Sequence, residues 1–144
     1  MRRGIKRALL GLVIFFAAAQ LIRPARINPA TDPGRTMQSP PELASILDRS
    51  CGDCHSNRTR WPWYTKVAPV SWLMAYAVNS GRTAVNFSEW AGYPPEQQRQ
   101  LLTQSCRDVS EGTMPGSAWI SLHREARLST EEIAVICAAA GEKP

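Results

Sequence analysis

Cys51-Gly52-Asp53-Cys54-His55 sets two thiols and one imidazole at positions i, i+3 and i+4. On a helical turn these positions share one face, so the three groups point the same way. C-x-x-C-H is the attachment signature of c-type haem. Its two sulfurs are spaced to form thioethers with two vinyl groups, and the imidazole lies beneath the ring as proximal iron ligand. On this reading Gly52 and Asp53 face away and are free to vary. Other uses of the cysteines fit less of the sequence. A thioredoxin-type pair needs a βαβ context that is missing. A zinc site needs a second ligand pair at short spacing, whereas Cys106, His123 and Cys137 are scattered singly. A Cys51–Cys54 disulfide is strained on a helix and leaves His55 unexplained.

An electron carrier needs a second iron ligand, and Met114 is the candidate. It lies in Glu111-Gly112-Thr113-Met114-Pro115-Gly116. Pro115 pushes Met114 out of the α region, and the flanking glycines allow a loop that approaches closely. A Met thioether there raises the reduction potential. His123, the other histidine of the chain, is the rival ligand, and an open or water-filled position is the third alternative. Met37 falls in a linker, and Met74 lies amid apolar residues where a packing role is expected.

Trp61, Trp63, Trp72, Trp90 and Trp119 all follow the motif and are candidates to shield a porphyrin or to fill the core. Arg58, Arg60 and Arg82 are candidates to pair with propionates. A carbonyl at Pro62 or Pro69 is a candidate acceptor for the Nδ1–H of His55. Cys106 and Cys137 are expected to pair as a disulfide, because leftover cysteines in an oxidising compartment are more often bridged than free. Two buried free thiols are the alternative.

These groups need elements to hold them. Ser39-Pro40-Pro41-Glu42 predicts a helix start, with Ser39 as N-cap and Glu42 closing a capping box. Leu43, Ile46 and Leu47 then form an apolar stripe running into Cys51. Residues 57–69 predict a loop carrying Trp61, Trp63 and Tyr64. A helix is predicted over Val70 to Asn79, with Gly81 as terminator. Pro94-Pro95-Glu96 opens another, bearing Leu102, Cys106 and Val109 on one face and ending at Gly112. Ser129-Thr130-Glu131-Glu132 is a second capping box, launching a last helix with Ile133, Ile136, Cys137 and Ala140 on one face and Gly141 as its stop. No segment alternates with period two. The expected fold is all-α: four or five short helices joined by long loops, cytochrome c-like, around one covalently bound haem.

The chain has 144 residues and a formal net charge of +5. Arg2, Arg3, Lys6 and Arg7 precede an apolar run from Ala8 to Ile22; without those four, 13 basic residues face 12 acidic ones. That near-neutrality removes the support for a nucleic-acid partner. A charged fraction of 20% excludes a highly charged disordered chain and a multi-span membrane protein. Bases ahead of an apolar run have the form of a secretory signal or signal anchor, and they place the remaining chain outside the inner membrane, in the periplasm. As a helix the run is about 22 Å long against about 30 Å of hydrocarbon. Ala17-Ala18-Ala19 offers a cleavage site, while Leu21 and Ile22 continue the run; an uncleaved transmembrane anchor is the preferred reading. The division expected is a signal anchor over 1–22, a Pro-rich extended tether over 23–38 and a haem c-binding domain over 39–144.

From the motif onward the sequence resembles a small family of bacterial haem-binding domains related to cytochrome c. The matching pieces are CGDCHSNRTRWPWYTKVAPVSW, GR followed by NFSEW, CRDVSEGTMP and LHREARLSTEEIAVIC. The resemblance, from the motif to the end, covers about two thirds of the chain, and QLIRPARINP also looks typical. The resemblance implies covalent haem c on Cys51 and Cys54 with His55 on the iron. The Met114-Pro115 step before a capped final helix is similar to the distal-ligand region of class I cytochromes c.

The leading expectation is a membrane-anchored monohaem cytochrome passing single electrons between periplasmic or membrane redox proteins. The alternatives are a five-coordinate haem acting as gas or redox sensor or peroxidase-like site, and an accessory haem subunit of a larger oxidoreductase. There is no paired-carboxylate, nucleophile–base or phosphate-loop constellation to support an autonomous hydrolase or kinase.

Overall fold

The computed structural model describes residues 2–143. Seven α-helices follow one another: α1 (Arg2–Ala19), α2 (Pro41–Ser50), α3 (Gly52–His55), α4 (Val70–Ala84), α5 (Pro95–Ser110), α6 (Ser117–Leu122) and α7 (Thr130–Ala139). Single 3-10 turns at Trp63–Lys66, Phe87–Gly92 and Arg124–Ala126 punctuate the loops. There is no strand among the described residues, so the chain is all-α as expected.

The start of α2 lies one residue later than the capping pattern predicts. Pro40 is the N-cap, with φ −52° and ψ 148°, and no side chain caps the helix. Pro41 is the cause, because a residue before proline is driven out of the α region. Pro94 is held extended by Pro95 in the same way at the head of α5. Ser129 caps α7 with both halves of its box in place: Ser129 Oγ accepts from the Glu132 N–H at 3.2 Å, and Glu132 accepts from the Ser129 N–H at 2.9 Å. Gly112 (φ 69°) and Gly141 (φ 73°) supply the left-handed turns that follow α5 and α7.

Leu43, Ile46 and Leu47 of α2 meet Val109 of α5 and Ile136 of α7 in the core, with Met37, Phe87 and Ile133 packed around them. Each such side chain contributes about 1.5–3 kcal/mol by leaving water. A Cys106–Cys137 disulfide, with Cα atoms 4.6 Å apart, joins α5 to α7. An Arg49–Glu132 ion pair at 2.7 Å joins α2 to α7. Helix α2 is thereby fixed from both sides, and it delivers the chain to the motif.

Two stretches differ from expectation. Helix α1 buries no residue, and no helix among the described residues is long and apolar enough to cross a membrane. The reason lies in its sequence: its 18 residues include Arg2, Arg3, Lys6 and Arg7, which leaves the apolar part short. Residues 23–38, expected as a free tether, lie along the domain as a strap. Asn28 Nδ2 donates to the Thr59 carbonyl at 2.8 Å, Arg35 pairs with Glu89 at 2.8 Å, and the Met37 N–H donates to the Phe87 carbonyl at 2.8 Å. Prolines remove backbone donors and rule out a regular helix here, so apart from a short turn around Asp32 the segment's polar groups find partners on the domain.

Candidate functional site

Helix α2 stops at Ser50. Cys51, with φ −122° and ψ −29°, then turns the chain into the single turn of α3. The His55 N–H donates to the Cys51 carbonyl at 2.9 Å, so both thiols and the imidazole sit on one short helical turn. Cys51 and Cys54 are free and partly exposed. Their thiols are neutral nonetheless. Burial above all, with the neighbouring Cys54 charge, pushes Cys51 up to about 12. Burial and then Asp53 push Cys54 up to about 11.

Burial pulls the His55 pKa below its ordinary value, against its hydrogen bonds to the Val85 and Gly81 carbonyls. It is therefore a neutral imidazole at pH 7. Nδ1 lies 3.2 Å from the Val85 carbonyl, which assigns the ring proton to Nδ1 and leaves the Nε2 lone pair free. The acceptor is Val85 and not Pro62 or Pro69. Val85 is the extended C-cap of α4, so its carbonyl is no longer used inside that helix.

Helix α4 brings Val85 to the site because Gly81 lets it approach. A Cβ on Gly81 would stand 2.6 Å from the Cys54 carbonyl oxygen. The predicted terminator is thus a mid-helix contact residue, and α4 runs on to Ala84. Asp53 is likewise not free to vary. It is 8% exposed and takes the Arg60 backbone N–H at 2.8 Å and the Arg60 guanidinium at 2.9 and 3.1 Å. After the motif, Asn57 bonds Asn86 at 2.8 Å, Glu89 at 3.0 Å and Ser88 at 3.0 Å, all buried or partly buried, and so locks the loop to the Phe87–Gly92 turn.

Met114 lines the same clefts as Cys51 and His55. The Thr113 and Met114 N–H groups both donate to the Asp108 carbonyl, at 3.0 and 3.2 Å, which clamps the loop to the end of α5. Two clefts meet at Cys51, His55 and Met114. One has walls of Leu47, Val85, Phe87, Leu101, Val109 and Ile136, with Gln104, Ser105 and Asp108 at its rim. The other runs past Cys54, Pro115 and Trp119. His123 lines neither of them. Its Nε2 is bonded to the Tyr64 hydroxyl, its Nδ1 lies 3.1 Å from Glu125, and its ring stacks on Trp119 at 3.8 Å. Both ring nitrogens already have partners.

The expected propionate partners are engaged elsewhere. Arg58 pairs with Asp48 at 3.0 Å and Arg60 with Asp53. Arg82 donates to the Ser56 and Ile27 carbonyls at 2.8 and 2.7 Å. Of the tryptophans, Trp119 lines the cleft, Trp90 is buried, and Trp63 is 76% exposed. A mid-helix glycine with no proline behind it was the available signal for Gly81. The role of Val85 left none, since a backbone carbonyl carries no residue type.

The donor set suits a flat, largely apolar group bound through iron. Two neutral thiols and an imidazole with a free Nε2 face aliphatic and aromatic walls. No cluster of three or more His, Cys, Asp or Glu among the described residues is placed to hold a bare metal ion.

Residues 13–142 match a family described as the haem-binding domain, nearly the whole chain and including the strap. No curated protein and no solved structure is similar to the chain.

Proposed function

Since the chain belongs to the haem-binding domain family, we propose that it is a monohaem c-type cytochrome, related to the class I cytochromes c. It carries single electrons between periplasmic or membrane redox partners, and α1 attaches it to the outer face of the inner membrane. The observation that carries this reading is the meeting of Cys51, Cys54, His55 and Met114 at one apolar cleft. When bound, haem supplies the one-electron ferric/ferrous couple.

The residues supply the rest. Cys51 and Cys54 would hold the ring through two thioethers, the S–H of each adding across a vinyl double bond, sulfur to one carbon and hydrogen to the other. His55 offers Nε2 to the iron while the Val85 carbonyl fixes its tautomer and strengthens its basicity. Met114 offers a thioether from the opposite loop. Leu47, Phe87, Val109 and Ile136 keep water from the ring, which favours the less charged ferrous state.

One observation favours a second reading. Met114 is 47% exposed. A side chain so loosely covered would be easily displaced, as the sixth position of a gas-binding or peroxide-reducing haem requires. The test is the absorption spectrum of the full chain produced with a haem-attachment system. A low-spin ferric spectrum with a weak long-wavelength sulfur-to-iron band is expected. A high-spin spectrum that shifts with carbon monoxide in the ferrous state overturns the electron-carrier reading in favour of the open site.

A further inference from the structure

The end of α1 is bonded to the domain. The Ala68 N–H donates to Gln20 Oε1 at 2.9 Å, and Trp72 Nε1 donates to the Ile22 carbonyl at 2.9 Å. Around this joint lies a cleft of about 230 Å³ whose charged lining residues are Arg23, Arg26 and Lys66, with no acidic residue among them. Next to it the surface is apolar. Trp63 is 76% exposed, Leu73 66% and Tyr76 74%, and Val67 and Val70 are each exposed by more than a third. Leu73 and Tyr76, about one turn apart, lie on the side of α4 opposite the buried Ala75 and Val78. None of these residues lines the two clefts at Cys51 and Met114.

We propose that this face of α4 and the Trp63–Lys66 turn rests on the bilayer interface, and that the Arg23–Arg26–Lys66 cleft takes the phosphate of an anionic phospholipid. The inference rests on the proposed attachment through α1 and adds how the domain sits. Three features point to lipid rather than to a protein partner. Leu21 and Ile22, exposed at the end of the apolar run, are joined to α4 through the Trp72 bond to the Ile22 carbonyl. Its large members are Trp and Tyr, whose amphipathic rings settle at headgroup level. Its flank is basic, which matches an anionic surface. The strap then holds the domain down, where a free tether would let it swing.

The experiment uses the full haem-loaded chain in vesicles of phosphatidylcholine with 30% phosphatidylglycerol. A trace of phosphatidylglycerol bearing a diazirine beside its headgroup is photolysed, and adducts are mapped by mass spectrometry. Adducts are expected on residues 61–76 as well as on α1. In the exposed double variant Trp63→Ser, Lys66→Glu they should fall at least fivefold on 61–76 while α1 stays labelled and the chain still floats with the vesicles. A diazirine-bearing phosphatidylcholine probe should label 61–76 more weakly than the anionic one. A floating chain labelled on α1 alone overturns the resting face and leaves the attachment standing. Equal labelling of 61–76 by both probes, unchanged in the variant, overturns the anionic headgroup site. A chain that does not float overturns the attachment and this inference together.

Discussion

Gly81→Ala is the sharpest test of how the site is held. Two effects oppose each other. Alanine favours a helix interior over glycine by about 1 kcal/mol. The new methyl, however, would stand 2.6 Å from the Cys54 carbonyl oxygen, 3.0 Å from its carbon and 3.1 Å from its Cβ. Ordinary contact begins near 3.4 Å, so α4 must retreat by several tenths of an ångström. What it meets is mostly backbone, which cannot rotate aside as a side-chain tip can. Overpacking of this kind costs about 1–3 kcal/mol, and a backbone obstacle puts it in the upper part of that range. The expected net result is a loss of about 1–2 kcal/mol, a fall in Tm of roughly 4–8 °C for a domain of this size.

The control is Ser80→Ala, at the adjacent exposed position of the same helix. There the propensity gain acts alone, so stability should rise by a few tenths of a kcal/mol. Thermal unfolding of the two variants beside the parent gives opposite signs if close approach is what Gly81 serves. A Gly81→Ala protein as stable as the parent, or more so, would refute the reasoning. The ferric spectrum offers an independent readout, because retreat of α4 also withdraws the Val85 carbonyl from His55.

Met114→Ala should convert the ferric spectrum to high spin and lower the reduction potential, whereas His123→Ala should leave the spectrum unchanged because both ring nitrogens are occupied outside the cleft; a potentiometric titration with absorption readout checks both. Replacing Cys106 and Cys137 together by Ala removes a bridge between residues 31 apart and should cost about 3.5 kcal/mol, read as a lowered denaturant midpoint. Ser129→Ala removes the α7 cap at a cost of about 1 kcal/mol, measured the same way. The Ser129 N–H, with Arg49, holds the Glu132 carboxyl below its usual 4.5, so its contribution is present above that value and is lost as pH falls through the depressed one. Glu132→Gln should accordingly be less stable at pH 7 with a shallower loss in acid, as stability measured across pH 3–7 will report. Arg82→Gln should cost about 2 kcal/mol in thermal unfolding, since one guanidinium bonds both the strap at Ile27 and the loop at Ser56 and Thr59.

Much of the site was legible because its chemistry is local. The motif spacing, the α7 capping box and the Gly112 and Gly141 stops all depend on residues within a few positions of one another. The parts that were not legible depend on distant ones. Val85 lies 30 residues beyond His55, and only the fold brings them together. Asp53 looked dispensable because its partner, Arg60, bonds it across a turn no pattern announced. The strap looked like a tether because its prolines and lack of periodicity describe an extended chain equally well whether it is solvated or bound. Arg58, Arg60 and Arg82 read as free charges for the same reason: their partners are carbonyls and carboxylates that sequence does not juxtapose.

The strap and the site are two ends of one arrangement. Arg82 follows Gly81 on α4 and donates to Ile27 of the strap at 2.7 Å, to Ser56 at 2.8 Å and to Thr59 at 2.8 Å. Residues 81 and 82 therefore do complementary work: the first lets α4 close on Cys54, and the second keeps it closed by bonding the segments on either side. Thr59 Oγ1 in turn donates to the Asp53 carbonyl at 2.7 Å, inside the motif itself. A displaced strap would release Arg82, and with it the register of α4 that aims the Val85 carbonyl at His55. The orientation of the His55 ring consequently depends on residues more than twenty positions before Cys51, and the family match covers that strap together with the motif.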